Sequence, residues 1–166
     1  MTAYLAQIAG TPKEQLVYVD ETGIDTCLYR EHGWSECGVP IMGTVSGRKY
    51  KRTGIVAGQM GKSIVAPLQY DGTMDSVLFE SWFTSCLLPS LSSGAVIIMD
   101  NASFHRKSKL FPLAQSAGHR LIFLPPYSPE FNPIENFWAW LKRYLRKVLP
   151  AYSSFDDALC SAFIVA

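Results

Sequence analysis

The chain has 166 residues, of which 48% are hydrophobic and 17% charged, and its formal net charge is +1. This length fits a single globular domain with a core of its own. Since the sequence has no apolar run of about eighteen residues, it predicts no membrane-spanning helix. The N-terminal segment lacks the basic and apolar stretches of a secretory signal, so we expect a cytoplasmic protein, associated with the nucleoid if the host is bacterial.

Four cysteines are scattered along the chain, and no two of them have the C-x-x-C spacing of zinc or redox sites. His32 and Cys37 come nearest to a metal-binding pair, but no second pair completes a tetrahedral shell. We therefore expect reduced, mostly buried thiols and no zinc site.

The first strong pattern is the apolar run 16–19, which is followed directly by Asp20. An uninterrupted run of apolar, mostly β-prone residues predicts a strand buried on both faces, as in the centre of a parallel or mixed sheet. Residues 1–13 before it predict an irregular or short helical lead-in. Residues 21–50 after it are rich in glycine and turn formers, and they predict one or two irregular strands and a long loop.

A hairpin and a helix are predicted next. Residues 53–59 and 62–70 flank a Met-Gly pair, where glycine supplies the positive φ that a tight reversal needs. Apolar residues within 74–91 recur at helical spacing, and Asp71 or Thr73 is placed to cap the start of that helix.

The apolar run 95–99 predicts a second buried strand, and it ends in Asp100. Because a helix separates it from the earlier strands, the crossover makes this strand parallel to a neighbour in the sheet. Residues 107–117 then predict a short helix and residues 120–124 another short strand.

The last long helix follows a stiff connector, residues 125–133, in which four prolines exclude regular structure. Asn132 suits the N-cap of the helix and Pro133 its first position, while Pro150 ends it. The remaining tail predicts the beginning of one more helix. The long helix carries one apolar stripe: Ile134, Phe137, Trp138, Leu141, Leu145 and Val148.

Three acids stand at the ends of these elements. If the two buried strands lie side by side, Asp20 and Asp100 present carboxylates about 4.8 Å apart at one edge of the sheet. Two anions this close repel each other unless a cation lies between them, and Mg²⁺ prefers such oxygen ligands. Glu135, separated from Asp100 by thirty-four residues, opens the last long helix and is a candidate third ligand. A pair of metal ions held this way supports phosphodiester cleavage or transfer.

Structural interpretations of the same acids stay open. Asp20 and Asp100 are also suited to turns at strand ends. Glu135 stands three residues after Asn132, which is the spacing of a capping box. His105, five residues after Asp100, is either a contact near the site or a surface imidazole in a basic turn.

The basic residues are concentrated although the net charge is small. Local concentration of charge shapes the field that a phosphate backbone meets, and solvated surface is the alternative interpretation of each cluster. Lys142 and Arg146 share a helical face with Glu135, so a basic track would lead away from the acid. The residues predicted to bind DNA are Arg48, Lys49, Lys51, Arg52, Arg106, Lys107, Lys142, Arg143 and Arg146.

Three segments, taken in this order and spacing, resemble the catalytic domain of DDE transposases of the mariner and bacterial insertion-sequence superfamily. They are residues 17–23 (VYVDETG), 98–105 (IMDNASFH) and 124–138 (LPPYSPEFNPIENFW). The third is the most specific of them, and the resemblance extends over nearly the whole chain.

The resemblance implies an α/β protein with the RNase H-like fold, a five-stranded mixed sheet flanked by helices. It implies that Asp20, Asp100 and Glu135 are the catalytic metal ligands for Mg²⁺ or Mn²⁺, as two ions. Asn101, His105 and Asn132 match motif positions beside these acids and are carried over as residues that support the ligands. The implied activity is cleavage at transposon ends and joining of the 3′-hydroxyl to target DNA.

The resemblance also sets expectations for domains and partners. We expect a lead-in over residues 1–14 and one catalytic domain over residues 15–166, without a helix-turn-helix module and with a shortened C-terminus, as in a split or decayed element. Double-stranded DNA is the expected partner, bound by a homodimer or together with a separate DNA-binding module. Two alternatives stay open: an RNase H-like nuclease of other specificity, and a catalytically silent fragment that only binds or regulates.

Overall fold

The computed structural model describes residues 2–25, 35–40, 52–125 and 128–165. One five-stranded sheet forms its centre, with the order β3-β2-β1-β4-β5. The strands are β1 (Leu16–Asp25), β2 (Arg52–Met60), β3 (Ser63–Asp71), β4 (Val96–Met99) and β5 (Arg120–Phe123). The helices are α1 (Thr2–Ile8), α2 (Ser76–Trp82), a π-helical turn (Phe83–Leu87), α3 (Leu88–Ser90), α4 (Lys107–Ser116), α5 (Ile134–Val148) and α6 (Phe155–Val165).

The sheet is mixed, as the sequence predicts. β1, β2 and β3 form an antiparallel meander, whereas β1, β4 and β5 run parallel to one another. The helical segment between β3 and β4 provides the predicted crossover. The five-stranded mixed sheet flanked by helices is confirmed.

β1 is longer than predicted. The sequence places its end at Asp20, but the strand continues to Asp25 because β2 pairs with it antiparallel along this whole extension. β4 pairs with β1 only as far as the Val19–Met99 partners. Asp20 therefore marks the end of the parallel pairing and not the end of the strand.

Helices cover both faces of the sheet because alternate strand residues point to opposite sides. On one face, α2, the π-helical turn and α4 bury side chains such as Phe79 and Leu110 against Val17 and Met99. On the other face, α5 and α6 pack on the β1–β2 half of the sheet, around Trp138. α1 contributes Tyr4 to a third cluster next to β4 and β5.

The predicted hairpin and helix are present, but the helix cap differs. Asp75 caps α2, since its Oδ1 accepts hydrogen bonds from the backbone N–H groups of Val77 (2.9 Å) and Leu78 (2.8 Å). Asp71 and Thr73, the predicted candidates, lie too far upstream, because the helix begins only at Ser76.

α5 has the predicted apolar stripe, with Ile134, Trp138 and Leu141 among its fully buried residues. Its start differs from the prediction: the helix begins at Ile134, with Pro133 before it and without a side-chain capping bond. The Asn132 side chain is buried instead, and its Oδ1 has no partner among the described residues. Asn132 is therefore not the cap.

The described cysteines Cys37, Cys86 and Cys160 are free, as predicted, but they are exposed and not buried. Residues 35–40 form an exposed turn, and most of the irregular region predicted around them, including Trp34, lies outside the described residues. Within the described part of the chain, no helix is long and apolar enough to cross a bilayer.

We expect Asp75→Ala to lower the free energy of unfolding by about 1 kcal/mol, since the first turn of α2 loses a cap that serves two N–H groups. Urea unfolding followed by circular dichroism measures the change. Asp75→Asn keeps an accepting oxygen and serves as the control, with a loss of only a few tenths of a kcal/mol. Equal losses in the two variants would contradict the capping role.

Candidate active site

Asp20 and Asp100 lie next to each other at the point where the parallel pairing of β1 with β4 ends. Val19 and Met99 are the last parallel partners of β1 and β4, and each acid directly follows one of them. The register therefore gives the two acids equivalent positions on neighbouring strands, about 4.8 Å apart at the backbone. This is the juxtaposition that the sequence predicts.

Asp20 is largely buried and is held by α5. Its Oδ2 accepts a hydrogen bond from the indole Nε1–H of Trp138, at 3.1 Å. Burial, together with the nearby carboxylates of Glu135 and Glu21, raises the pKa of Asp20 to about 7. Ionisation of Asp20 is therefore disfavoured by its burial and by the negative charges around it.

Asp100 is more exposed, with 51% of its side chain accessible, and it is held by His105. The imidazole Nδ1 lies 3.2 Å from Asp100 Oδ1, and this hydrogen bond holds the pKa of Asp100 below its usual value. Asp100 Oδ1 also accepts from the backbone N–H of Ala102, at 3.0 Å. Asp100 therefore makes a turn as well as facing the site, so the turn interpretation describes part of its role.

Glu21 is a site residue that the sequence reasoning did not single out. Its Oε1 lies 3.3 Å from Nε2 of His105, so the buried imidazole bridges Glu21 on β1 and Asp100 after β4. Burial disfavours the charged imidazole, but the bonds to Asp100 and Glu21 outweigh it and raise the pKa of His105 to about 9. The one feature of the sequence that indicates a place near the site is the position of Glu21 directly after Asp20.

Glu135 is exposed in the first turn of α5, on the side of the molecule from which Trp138 contacts Asp20. The predicted capping box is not formed, since α5 begins without a side-chain cap. The negative charge of Glu135 contributes to the raised pKa of Asp20. However, no group of three His, Cys, Asp or Glu side chains among the described residues has the arrangement of a metal site.

The donor chemistry nevertheless fits a divalent metal ion. Asp20, Asp100 and Glu135 offer only carboxylate oxygens, which Mg²⁺ and Mn²⁺ prefer over nitrogen or sulfur. The neighbouring carboxylates raise the pKa of Asp20, so a cation that neutralises them stabilises its ionised form.

The other predicted support residues have structural contacts. Asn101 donates from Nδ2 to the carbonyl of Leu124, at 2.6 Å, and its Oδ1 accepts from Lys107 Nζ, at 2.5 Å. Asn101 therefore ties the end of β4 to the chain just after β5. Asn132 is buried just before α5, and its backbone carbonyl accepts a hydrogen bond from the N–H of Glu135, at 3.1 Å.

The predicted DNA-binding residues are divided among several environments. Arg106 forms a two-bond ion pair with Glu80, at 2.6 and 2.7 Å, and Lys107 lies over the ring of Phe123, at 4.4 Å. Arg143 and Arg146 are exposed on α5, and Lys142 is half-buried. Arg52 begins β2, whereas the predictions for Arg48, Lys49 and Lys51 fall outside the described residues.

An open cleft of about 890 Å³ lies along this edge of the sheet. Asp20, Glu21 and Asp100 line it together with the hairpin residues Arg52 and Tyr70. The acids and the hairpin therefore share one cleft.

We expect the metal-free protein to lose stability as pH rises from about 4 to 9. The folded pKa of Asp20, about 7, exceeds its ordinary value of 3.8, so ionisation of this carboxyl above pH 4 disfavours the folded state. The folded pKa of His105, about 9, exceeds 6.5, so its stabilising contribution is complete below pH 6.5 and disappears through pH 9. The pKa values of Asp100 and Glu80 are lowered in the folded protein, so these two groups change the stability only below their ordinary pKa values of 3.8 and 4.5.

Melting temperatures measured in a chelating buffer across this pH range test the expectation. Asp20→Asn is the matched variant, because it removes the titrating carboxyl and should flatten the decline between pH 4 and 7. A melting temperature that rises across this interval would contradict the assignment.

The family model described as DDE superfamily endonuclease matches residues 15–158. Among curated proteins, the uncharacterized protein y4pE/y4sA of Sinorhizobium fredii (strain NBRC 101917 / NGR234) is 44% identical over 71 residues, which are 42% of this chain and 50% of that protein. The chain thus covers about half the length of the curated relative it matches.

Solved structures of similar fold include Mos1 transposase complexes. The Mos1 strand transfer complex aligns with a TM-score of 0.68 at 14% identity, covering 97% of this chain and 54% of that one. The Mos1 paired-end complex with left transposon end aligns at 0.66 and 14%, covering 98% and 55%. The catalytic core domain of BIV integrase aligns at 0.56 and 14%, covering 91% and 82%. At such identities the likeness establishes the RNase H-like fold.

Proposed function

The chain belongs to the DDE superfamily endonucleases, and from that premise we propose that it cleaves DNA phosphodiesters and joins the freed ends to target DNA in transposition. The observation that carries the proposal is the register of β1 and β4, which gives Asp20 and Asp100 equivalent positions at the end of the parallel pairing. The domain responsible is residues 15–166.

Asp20, Asp100 and Glu135 would hold Mg²⁺ or Mn²⁺, as two ions, which when bound supply activation of the attacking oxygen and stabilisation of the leaving oxygen. Trp138 fixes the orientation of Asp20, and His105 fixes that of Asp100. In cleavage a P–O ester bond is replaced by a bond to water oxygen. In strand transfer the attacking oxygen belongs to a 3′-hydroxyl.

DNA is the proposed partner. The structures of similar fold include the Mos1 paired-end complex with left transposon end and the Mos1 strand transfer complex. In this chain, the α5 residues Lys142, Arg143 and Arg146 continue from Glu135 along the helix and support contact with a phosphate backbone. The chain is proposed to act as a homodimer or together with a separate DNA-binding module. Its proposed location is the cytoplasm, in association with the nucleoid if the host is bacterial.

We expect DNA affinity to fall steeply with salt, since each neutralised phosphate releases counterions. Arg143→Gln with Arg146→Gln should reduce the slope of log affinity against log salt by about two. Fluorescence anisotropy with a labelled duplex measures the slope. Lys13→Gln, at an exposed position in the segment before β1, is the control. An unchanged slope in the double variant would remove α5 from the DNA interface.

A catalytically silent binding module is the second candidate, and one observation favours it: no three side chains among the described residues are arranged as a metal site. Isothermal titration with Mn²⁺ separates the two, because a silent module has no need to bind the ion. Nicking of labelled duplex DNA in Mn²⁺, compared with hydrolysis of an RNA–DNA hybrid, separates a transposase from an RNase H-like nuclease of other specificity. Absence of any cleavage together with absence of Mn²⁺ binding would overturn the proposed function.

A further inference from the structure

Two glycines lie opposite each other in the β1–β2 ladder, three residues beyond Asp20 on β1. Gly23 pairs with Gly54, and Gly54 pairs with Tyr70 on β3. Glycine inside a strand weakens it, and often marks a place where another group approaches the backbone closely. Neither glycine has a positive φ, so backbone conformation does not explain them.

Close approach does explain them. A Cβ on Gly54 would lie 2.2 Å from Cζ of Tyr70, and a Cβ on Gly23 would lie 2.3 Å from Nε of Arg52. The phenol end of Tyr70 and the guanidinium of Arg52 therefore occupy the space that side chains at these positions would fill. Because the two glycines lack side chains, the Tyr70 ring lies directly against the backbone of β2 and the Arg52 guanidinium against that of β1.

These two planar groups line the same cleft as Asp20 and Asp100. Among the described residues that line it, Arg52 is the single Lys or Arg, and the acids are Asp20, Glu21, Asp75 and Asp100. Tyr70 is half-buried, with the core on one side, and Arg52 is exposed. The cleft thus combines carboxylates, which suit metal ions, with one guanidinium and the ring of Tyr70.

A flat aromatic and cationic surface suits a nucleotide. Nucleobases stack on aromatic rings regardless of sequence, and a guanidinium binds a phosphate with paired hydrogen bonds. A base within an intact duplex is already stacked on its neighbours, so only an unpaired or frayed base has a free face for Tyr70.

We propose that Tyr70 and Arg52 form a subsite for one unpaired nucleotide flanking the phosphodiester that is cut, with its base on Tyr70 and its phosphate at Arg52. The inference rests on the proposed function and adds a substrate class to it: DNA ends with a short single-stranded extension.

The test is the ratio of affinities for two probes, a blunt duplex and the same duplex with a single-stranded extension, the 3′ and 5′ extensions being assayed separately. Anisotropy is measured without divalent metal, so that binding is separate from cleavage. We expect the full chain to bind one extended probe roughly tenfold more tightly than the blunt probe, as for one stacked base.

Tyr70→Leu should abolish this preference, whereas Tyr70→Phe should keep it, because phenylalanine retains the ring. Both variants keep a large apolar side chain over Gly54, and circular dichroism checks that they fold. Arg52→Gln should weaken binding of the extended probe and reduce its salt slope by about one, and Lys13→Gln should change neither. A preference unchanged in Tyr70→Leu, or no preference in the unaltered chain, overturns the subsite.

A photocrosslink avoids dependence on variants. The extended probe carrying 5-iododeoxyuridine in its extension should crosslink to the peptide that contains Tyr70, and a crosslink elsewhere overturns the subsite. Failure of the subsite remains distinct from failure of the proposed function. If Asp100→Asn abolishes metal-dependent cleavage while extended and blunt probes bind alike, only the subsite is lost. If the unaltered chain shows the preference but never cleaves, only the catalytic proposal is lost.

Discussion

Asp100→Asn is expected to reduce metal-dependent DNA cleavage by about 1,000-fold or more while leaving the fold intact. The substitution removes a proposed metal-binding charge, and metal ions contribute several kcal/mol to phosphoryl transfer, each 1.4 kcal/mol being about tenfold in rate. The fold should tolerate the change because the Asp100 side chain is half exposed, and asparagine retains an oxygen for the backbone N–H of Ala102.

Three measurements define this outcome. Cleavage of labelled duplex in Mn²⁺ gives the rate, isothermal titration gives the Mn²⁺ affinity, and thermal melting reports the fold. Glu14→Gln is the control, since it also neutralises a carboxylate but lies exposed before β1, away from the cleft. Cleavage that survives in Asp100→Asn would remove Asp100 from catalysis. Loss of cleavage with unchanged Mn²⁺ affinity would show that Asp100 acts without binding the ion.

Phe79→Ala is expected to cost about 3–5 kcal/mol of unfolding free energy, the largest effect on stability that we predict. Phe79 is fully buried on α2, and its ring packs against Trp82 and Phe83. It also contacts the loop that carries the site, with ring centroids 5.8 Å from Phe104 and 4.2 Å from His105. Removing the ring leaves a cavity under the imidazole that holds Asp100.

Urea unfolding measures this cost. Val77→Ala is the matched control on the same helix, because Val77 is 67% exposed and its truncation should change stability by less than about 0.5 kcal/mol. A loss below about 1.5 kcal/mol in Phe79→Ala would mean that the core closes over the cavity. Phe79→Leu should also keep more of the cleavage activity than Phe79→Ala, since leucine still supports His105.

Local patterns were sufficient for most of the fold. The apolar runs 16–19 and 95–99 become neighbouring parallel strands, and the apolar stripe of α5 is buried as predicted. Such patterns succeed because burial of a strand or a helical face depends on the spacing of apolar residues within one short segment. The helix starts were predicted less well, because several residues near α2 and α5 were chemically suitable caps and only backbone geometry selects among them.

The sequence by itself determined which acids stand near the ends of strands and helices. This was enough to identify Asp20, Asp100 and Glu135 as candidate metal ligands. Only the tertiary structure decided that His105 bridges Asp100 and Glu21, that Trp138 donates to Asp20, and that Tyr70 lies over Gly54. The contacts of His105 with Glu21 and of Trp138 with Asp20 join residues far apart in the chain, and they depend on strand register and on which face a side chain occupies. A shift of one residue in register would reverse those faces. No pattern within a single segment contains that information.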